Sequence, residues 1–153
     1  MQCDPYYLMR QALAEAEKAF LEGEVPVGAV LADLEGQIIA KAHNQPIGLN
    51  DPTAHAEILA MRAAGLILKN YRLNNAILVV TLEPCLMCMG AAVNARIARL
   101  IFGAFDPKAG AAGSLYNLAA DRQLNHEIDV MTGIMEAECR ALMQAFFRVR
   151  RGN

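Results

Sequence analysis

The 153-residue chain predicts an α/β fold: a three-layer αβα sandwich around a mixed five-stranded sheet. Three observations carry this. Helical rhythms alternate with short apolar runs in the order αββαβαββα. Two early runs are separated only by the turn residues Asp33-Leu34-Glu35-Gly36, which makes them a hairpin. Later a strand, a helix and another strand follow one another, and that crossover implies a parallel pair. In order, Tyr6 to Gly23 is an amphipathic helix with Leu8, Ala12, Ala16, Ala19 and Phe20 near a 3.6-residue rhythm. Residues 27–32 and 37–42 are the hairpin strands. Residues 53–65 are rich in Ala, Leu and Met and read as a helix, entered through the cap chemistry of Asp51-Pro52-Thr53 and stopped at Gly65. Residues 76–81 are an unbroken apolar run, as expected of a central strand covered on both faces. Pro84 opens a helix over 85–97, because proline is tolerated where the amide has no helical partner. Residues 99–104 are another buried strand, 108–114 a loop of small residues, 128–131 a last strand and 136–150 the closing helix. No repeat, linker or low-complexity stretch interrupts residues 1–153, which read as one domain.

Composition narrows the class. With 55% hydrophobic and 20% charged residues the chain has enough apolar material for a sizeable core. No apolar run reaches the roughly 18–20 residues that span a bilayer, and Met1-Gln2-Cys3-Asp4-Pro5 lacks the regions of a signal peptide. Four cysteines, two of them in one Cys-x-x-Cys, are not a disulfide framework, so the expected location is cytoplasmic. The net charge of −2 does not announce a nucleic-acid binder, but its distribution is uneven. Nine acids against three bases lie at or before Glu57, and eleven bases against seven acids follow it. The closing Phe146-Phe147-Arg148-Val149-Arg150-Arg151 could follow a phosphate backbone. The competing reading is a solvated helix end whose arginines complement the dipole.

Chemistry concentrates in His55-Ala56-Glu57 and Pro84-Cys85-Leu86-Met87-Cys88. One imidazole and two thiolates fill three of the four positions of tetrahedral zinc and leave one for water, whose pKa such a metal lowers to about 7. Glu57, two residues from His55, does not share its helical face, so it suits proton transfer better than chelation. Cys85 and Cys88 are one turn apart at a helix start, where the dipole favours thiolate. Competing readings are a redox Cys-x-x-Cys and a closed structural site completed by His43 or His126. Both ligand-bearing helices leave strands at one end of the sheet, where open α/β sheets place their sites.

His-x-Glu…Pro-Cys-x-x-Cys is the known signature of the zinc-dependent cytidine and deoxycytidylate deaminases. The longer segments 51–58, 81–91 and 102–114 resemble the bacterial tRNA-specific adenosine deaminases within that superfamily, as do Asn70-Tyr71-Arg72-Leu73, Asn125-His126 and Phe146-Phe147-Arg148. The resemblance runs in order along nearly the whole chain. It implies a cytidine-deaminase-like fold, a homodimer with one Zn2+ per subunit, and conversion of adenosine to inosine at the wobble position of a tRNA anticodon with release of ammonia. It assigns His55, Cys85 and Cys88 as zinc ligands and Glu57 as the proton shuttle. Asn44 matches the asparagine that holds the flipped base, and an amide does offer a donor and an acceptor to a purine edge. Ala56 joins the expected substrate contacts. Asp106 could accept from a ribose 2′-OH and Lys108 could meet a phosphate, with Arg148, Arg150 and Arg151 beyond them. For Asn44 and Asp106 the alternative is local capping of loop amides. Phe105 stands where the family often has a polar or charged residue; an aromatic there could stack on an unpaired base. Two rival functions share the signature: deamination of a free base, nucleoside or nucleotide, and a non-catalytic zinc-stabilised RNA-binding subunit. Retention of Glu57 argues against the second.

Overall fold

In the computed structural model, which describes residues 3–152, Asp4 caps the first helix by accepting from the Tyr6 amide at 3.0 Å, with Pro5 in the first turn. This helix, α1 (Pro5–Leu21), buries Leu8, Met9, Ala12, Ala16 and Ala19. Its alanine-rich face lets it approach the sheet closely. A Cβ at Gly28 would lie 1.9 Å from the Ala12 carbonyl oxygen and 2.5 Å from the Ala16 amide nitrogen, so only glycine fits beneath the helix.

The hairpin forms as expected. β1 (Gly28–Asp33) pairs antiparallel with β2 (Ile38–His43), with a shift of register between Leu31 and Ala32. Asp33 Oδ1 accepts from the Glu35 and Gln37 amides and closes the turn. β1 also pairs antiparallel with β3 (Ala76–Leu82), and β3 pairs parallel with β4 (Arg99–Ala104). β4 in turn pairs parallel with β5 (Asp129–Thr132), giving a mixed five-stranded sheet in the order β2-β1-β3-β4-β5. The last strand begins one residue later than expected.

Two boundaries differ more. The helix after the hairpin, following a one-turn α2 (Pro46–Leu49), is α3 (Ala56–Leu68). It starts three residues later than expected because Asp51 Oδ1 takes both the Thr53 amide and the Thr53 hydroxyl into a tight turn, leaving His55 as the N-cap. It also runs through Gly65, whose cost of about 1 kcal/mol does not stop a helix with a buried face. Lys69, left-handed at φ 55°, ends it instead. α2 has no strong sequence signal. Glu24, far away in sequence, accepts from the Ile47 and Gly48 amides at 3.1 and 2.7 Å and holds it. α4 (Leu86–Ala95) likewise begins one residue later than expected, with Cys85 as N-cap and Pro84 before it, and closes on left-handed Arg96. α5 spans Glu136–Arg150, as the sequence predicts.

Alternation along β1, β3 and β4 divides the core. Ala29, Leu31, Leu78, Val80, Leu100 and Phe102 pack with α3 and α4, whereas Val30, Ala32, Ile77, Val79 and Ile101 pack with α1 and residues at the start of α5. The unbroken apolar run of β3 is explained: both of its faces are covered. No helix among the described residues is long and apolar enough to cross a membrane.

Candidate active site

β2 and β3 are both antiparallel to β1 and therefore run together, so the chain leaves their carboxyl ends on the same edge of the sheet. This edge brings His55, the N-cap of α3, to Cys85, the N-cap of α4, and to Cys88 within its first turn. His55 Nδ1 lies 3.6 Å from Cys85 Sγ and 3.5 Å from Cys88 Sγ. Zinc bonds of about 2.1 Å to nitrogen and 2.3 Å to sulfur at tetrahedral angles separate two such ligands by about 3.6 Å, so the donor set fits a zinc ion in both chemistry and spacing. These three ligand atoms lie within 4.8 Å of one another and form the one such group among the described residues. His43 is engaged elsewhere, with Glu15 at 3.4 Å and Glu22 at 3.0 Å, and His126 bonds the Ile97 carbonyl at 2.6 Å. Neither completes a closed shell.

Glu57 is buried at 3% exposure, and its Oε1 has no hydrogen-bond partner among the described residues. Burial pushes its pKa up, against the pull of its own backbone amide and of His55. The Cys88 hydrogen bond pulls the Cys85 thiol down to about 3, with burial opposing and His55 adding to the pull. The same bond and burial push Cys88 up. His55, Glu57 and Cys85 line a cavity of 240 Å³ with Asn44, Asp106 and Ala109 on its other sides. Asn44 Oδ1 accepts from the Ala56 amide at 2.7 Å, capping α3 and leaving the amide NH₂ as a donor. Ala56 itself is buried. Asp106 Oδ1 accepts from the Lys108 and Ala109 amides at 3.1 and 3.3 Å, so one oxygen caps the loop and one is left.

The family model for the cytidine and deoxycytidylate deaminase zinc-binding region matches residues 3–104, which include all three ligands and Glu57. The chain belongs to this deaminase family. Its sequence is 49% identical over 144 residues to the tRNA-specific adenosine deaminase of Haemophilus influenzae, covering 94% of this chain and 83% of that one. It is 48% identical over 140 residues to the enzyme of the same name from Bacillus subtilis, covering 92% and 86%. A solved structure from a study of A-to-I editing by tRNA:A34 deaminases superposes with a TM-score of 0.86 at 45% identity, covering 89% of this chain and 98% of that one.

Among the clefts beside the zinc cavity of this deaminase, two form a row with it through shared lining residues. The first, of 330 Å³, shares Leu82 and Asp106 with the zinc cavity and adds Phe105, Lys108, Arg140, Met143 and Phe147. The second, of 780 Å³, shares Lys108, Arg140, Met143 and Phe147 with the first and adds Arg148, Arg150 and Arg151. Lys108 and the closing arginines, distant in sequence, thus line one cleft. Phe105 is 45% exposed and braced edge-on by Phe102 at 5.1 Å. Three residues were not anticipated. Arg140 lines both clefts, and its place two helical turns before Arg148 was a readable signal. Phe147 lines them too, and the sequence marks it only as part of the closing aromatic and basic segment. Glu83 lines the zinc cavity at 2% exposure; an acid directly after a buried strand needs partners, but nothing local names them.

Proposed function

We propose that this chain hydrolyses adenosine to inosine at the wobble position of a tRNA anticodon, releasing ammonia. The observation that carries this reading is the row of neighbouring clefts, each sharing lining residues with the next, from the zinc cavity through Asp106 to Lys108, Arg140, Arg148, Arg150 and Arg151. A deaminase of free nucleosides needs the cavity alone; a strand of linked nucleotides needs a path for its phosphates. Near full-length identity to two tRNA-specific adenosine deaminases supports the same substrate. His55, Cys85 and Cys88 would hold the zinc, which when bound supplies a water acidic enough to furnish hydroxide at neutral pH.

The protein's own residues do the rest. Glu57, buried beside the ligands, would take the proton the water gives up and hand it to purine N1, which makes C6 more electrophilic. It would then take the proton remaining on the added hydroxyl and pass it to the exocyclic amine, which leaves as ammonia. The Asn44 NH₂ group, steadied by its bond to Ala56, faces the base as a donor. The free oxygen of Asp106 takes the ribose 2′-OH, and Lys108 with the closing arginines takes phosphates. The target base leaves a single-stranded loop, where unstacking costs least.

A second copy of the chain completes the molecule. An open groove between α3 and α4 is lined by Ile58, Met61, Leu66, Leu73, Ala91 and Ala95, while Leu66 and Tyr71 are 81% and 79% exposed. A homodimer buries this apolar face. The four free cysteines suit a reducing cytoplasm. Incubating tRNA with the zinc-loaded protein and sequencing it should show adenosine 34 read as guanosine, with no ammonia released from free adenosine or cytidine. Release from free nucleosides and an unchanged tRNA would reject the reading.

A further inference from the structure

The two ends of α5 are held differently. The helix is entered through Gly133 at φ 78° and Met135 at φ 55°, both left-handed. Its first half is fixed. Cys139 is buried and so close to β4 that a Cβ at Gly103 would lie 2.4 Å from its Sγ, and Met143 packs half-buried against the core. Beyond Met143 the hold weakens. Among the described residues, 144–152 make no hydrogen bond or ion pair outside the helix; the Arg151 and Gly152 amides turn back to the Phe147 and Val149 carbonyls. One side chain of this stretch is buried, Phe146 at 4% exposure. Its ring meets Phe20 of α1 edge-on at 5.9 Å, with Phe147 at 5.4 Å and the Arg150 guanidinium 5.4 Å above it. Open space borders the stretch twice. A cavity of 310 Å³ separates Phe146, Phe147 and Arg150 from Pro46 and Ile47, and the 780 Å³ basic cleft is lined by Phe147, Arg148, Arg150 and Arg151.

We propose that residues 144–151 form a strap, latched by Phe146 on Phe20, that swings away from the row of clefts and closes over the ligand bound there. The pivot is the buried contact of Cys139 with Gly103. A helix end held by one aromatic pair belongs to the weakly held elements from which lids are drawn, and hinge motions of this kind run in microseconds to milliseconds. Phe147 and Arg150 line both the 310 Å³ cavity and the basic cleft, so the latched strap is the partition between them. With the latch broken the two merge into one wider groove. The moving part carries Arg148, Arg150 and Arg151, so a run of phosphates binds the closed form more tightly and draws the strap shut by that difference in affinity. Only this last step rests on the RNA reading above.

The five phenylalanines supply the probes. With 4-fluorophenylalanine at each, fluorine relaxation dispersion on the zinc-loaded protein should show microsecond-to-millisecond exchange at Phe20, Phe146 and Phe147. Phe102, fully buried in β4, should show none. Phe20→Leu should raise the open population read at Phe146 at least threefold and leave Phe102 unchanged. An anticodon stem-loop that carries the product inosine, and so binds without reacting, should cut the exchange at Phe146 at least fivefold. Exchange absent at Phe146, or equal at Phe146 and Phe102, overturns the strap, and the wild-type protein decides this even if the variant does not fold. An open population unchanged in folded Phe20→Leu overturns the latch and the proposal with it. Exchange that persists in protein saturated with the stem-loop overturns closure over the ligand. A stem-loop that does not bind at all counts against the RNA reading and the closure step together, while exchange confined to Phe20, Phe146 and Phe147 in the free protein still supports the strap.

Discussion

Leaving the Glu57 Oε1 atom buried without a partner costs about 1–3 kcal/mol, a cost that a proton-shuttling role explains and a packing role does not. Glu57→Ala is expected to abolish inosine formation while metal analysis still finds about one zinc per chain; loss of the metal would place Glu57 among the ligands instead. A second prediction concerns Glu15 in the buried network on α1. Burial alone would raise its pKa, but the bonds from Lys18 at 2.6 Å and His43 at 3.4 Å outweigh it and hold Glu15 below the usual carboxylate value. A depressed folded-state pKa contributes stability above the unfolded value of about 4.3, and that contribution disappears as pH falls through the folded value. Thermal melts of wild type and Glu15→Gln should therefore differ at pH 6 and converge as pH falls below about 4. A gap independent of pH would show that the carboxylate's charge contributes nothing.

At the scale of elements, α1 sits directly on β1 because Gly28 presents no side chain to it. Gly28→Ala must push backbone against backbone, so it should cost about 1–3 kcal/mol or more, read as a lower denaturant midpoint with an unchanged m-value. A neutral result would mean that α1 slides freely over the sheet. The last turn of α5 carries its own prediction. Truncation after Phe147 removes Arg148, Arg150 and Arg151 from the basic cleft, which should weaken tRNA binding. It should also reduce the salt slope by roughly 0.7–0.9 per lost phosphate contact. Turnover of saturating tRNA should change little. A salt slope identical to wild type would reduce these arginines to helix-end charges.

Across the whole molecule, the α3–α4 groove is lined by residues of both ligand-bearing helices. Part of the apolar circumference of α4 turns inward, where Met89 and Val93 are buried in the core, so Ala91 and Ala95 are left to border the groove. Leu66→Glu, on the exposed face of α3, is expected to shift sedimentation at micromolar protein from twice 16.6 kDa to the single-chain mass. A wild-type protein that sediments as one chain and still edits tRNA fully would reject the dimer.

The residues alone determined the layer order and the hairpin, because strand and helix periods are written locally in apolar spacing. They also identified the ligand triad, since His55, Cys85 and Cys88 each stand at a helix start that cap and proline chemistry reveals. Capping geometry then moved the helix starts: the Asp51–Thr53 turn delayed α3, and left-handed Lys69 rather than Gly65 ended it. What tertiary structure alone decided are the long-range partners. Glu24 holds α2, Asn44 caps α3, and Glu83 gathers residues 106–114. Each is a polar contact between distant segments, and hydrogen-bond donors and acceptors, unlike an apolar face, carry no period that names their partner in advance.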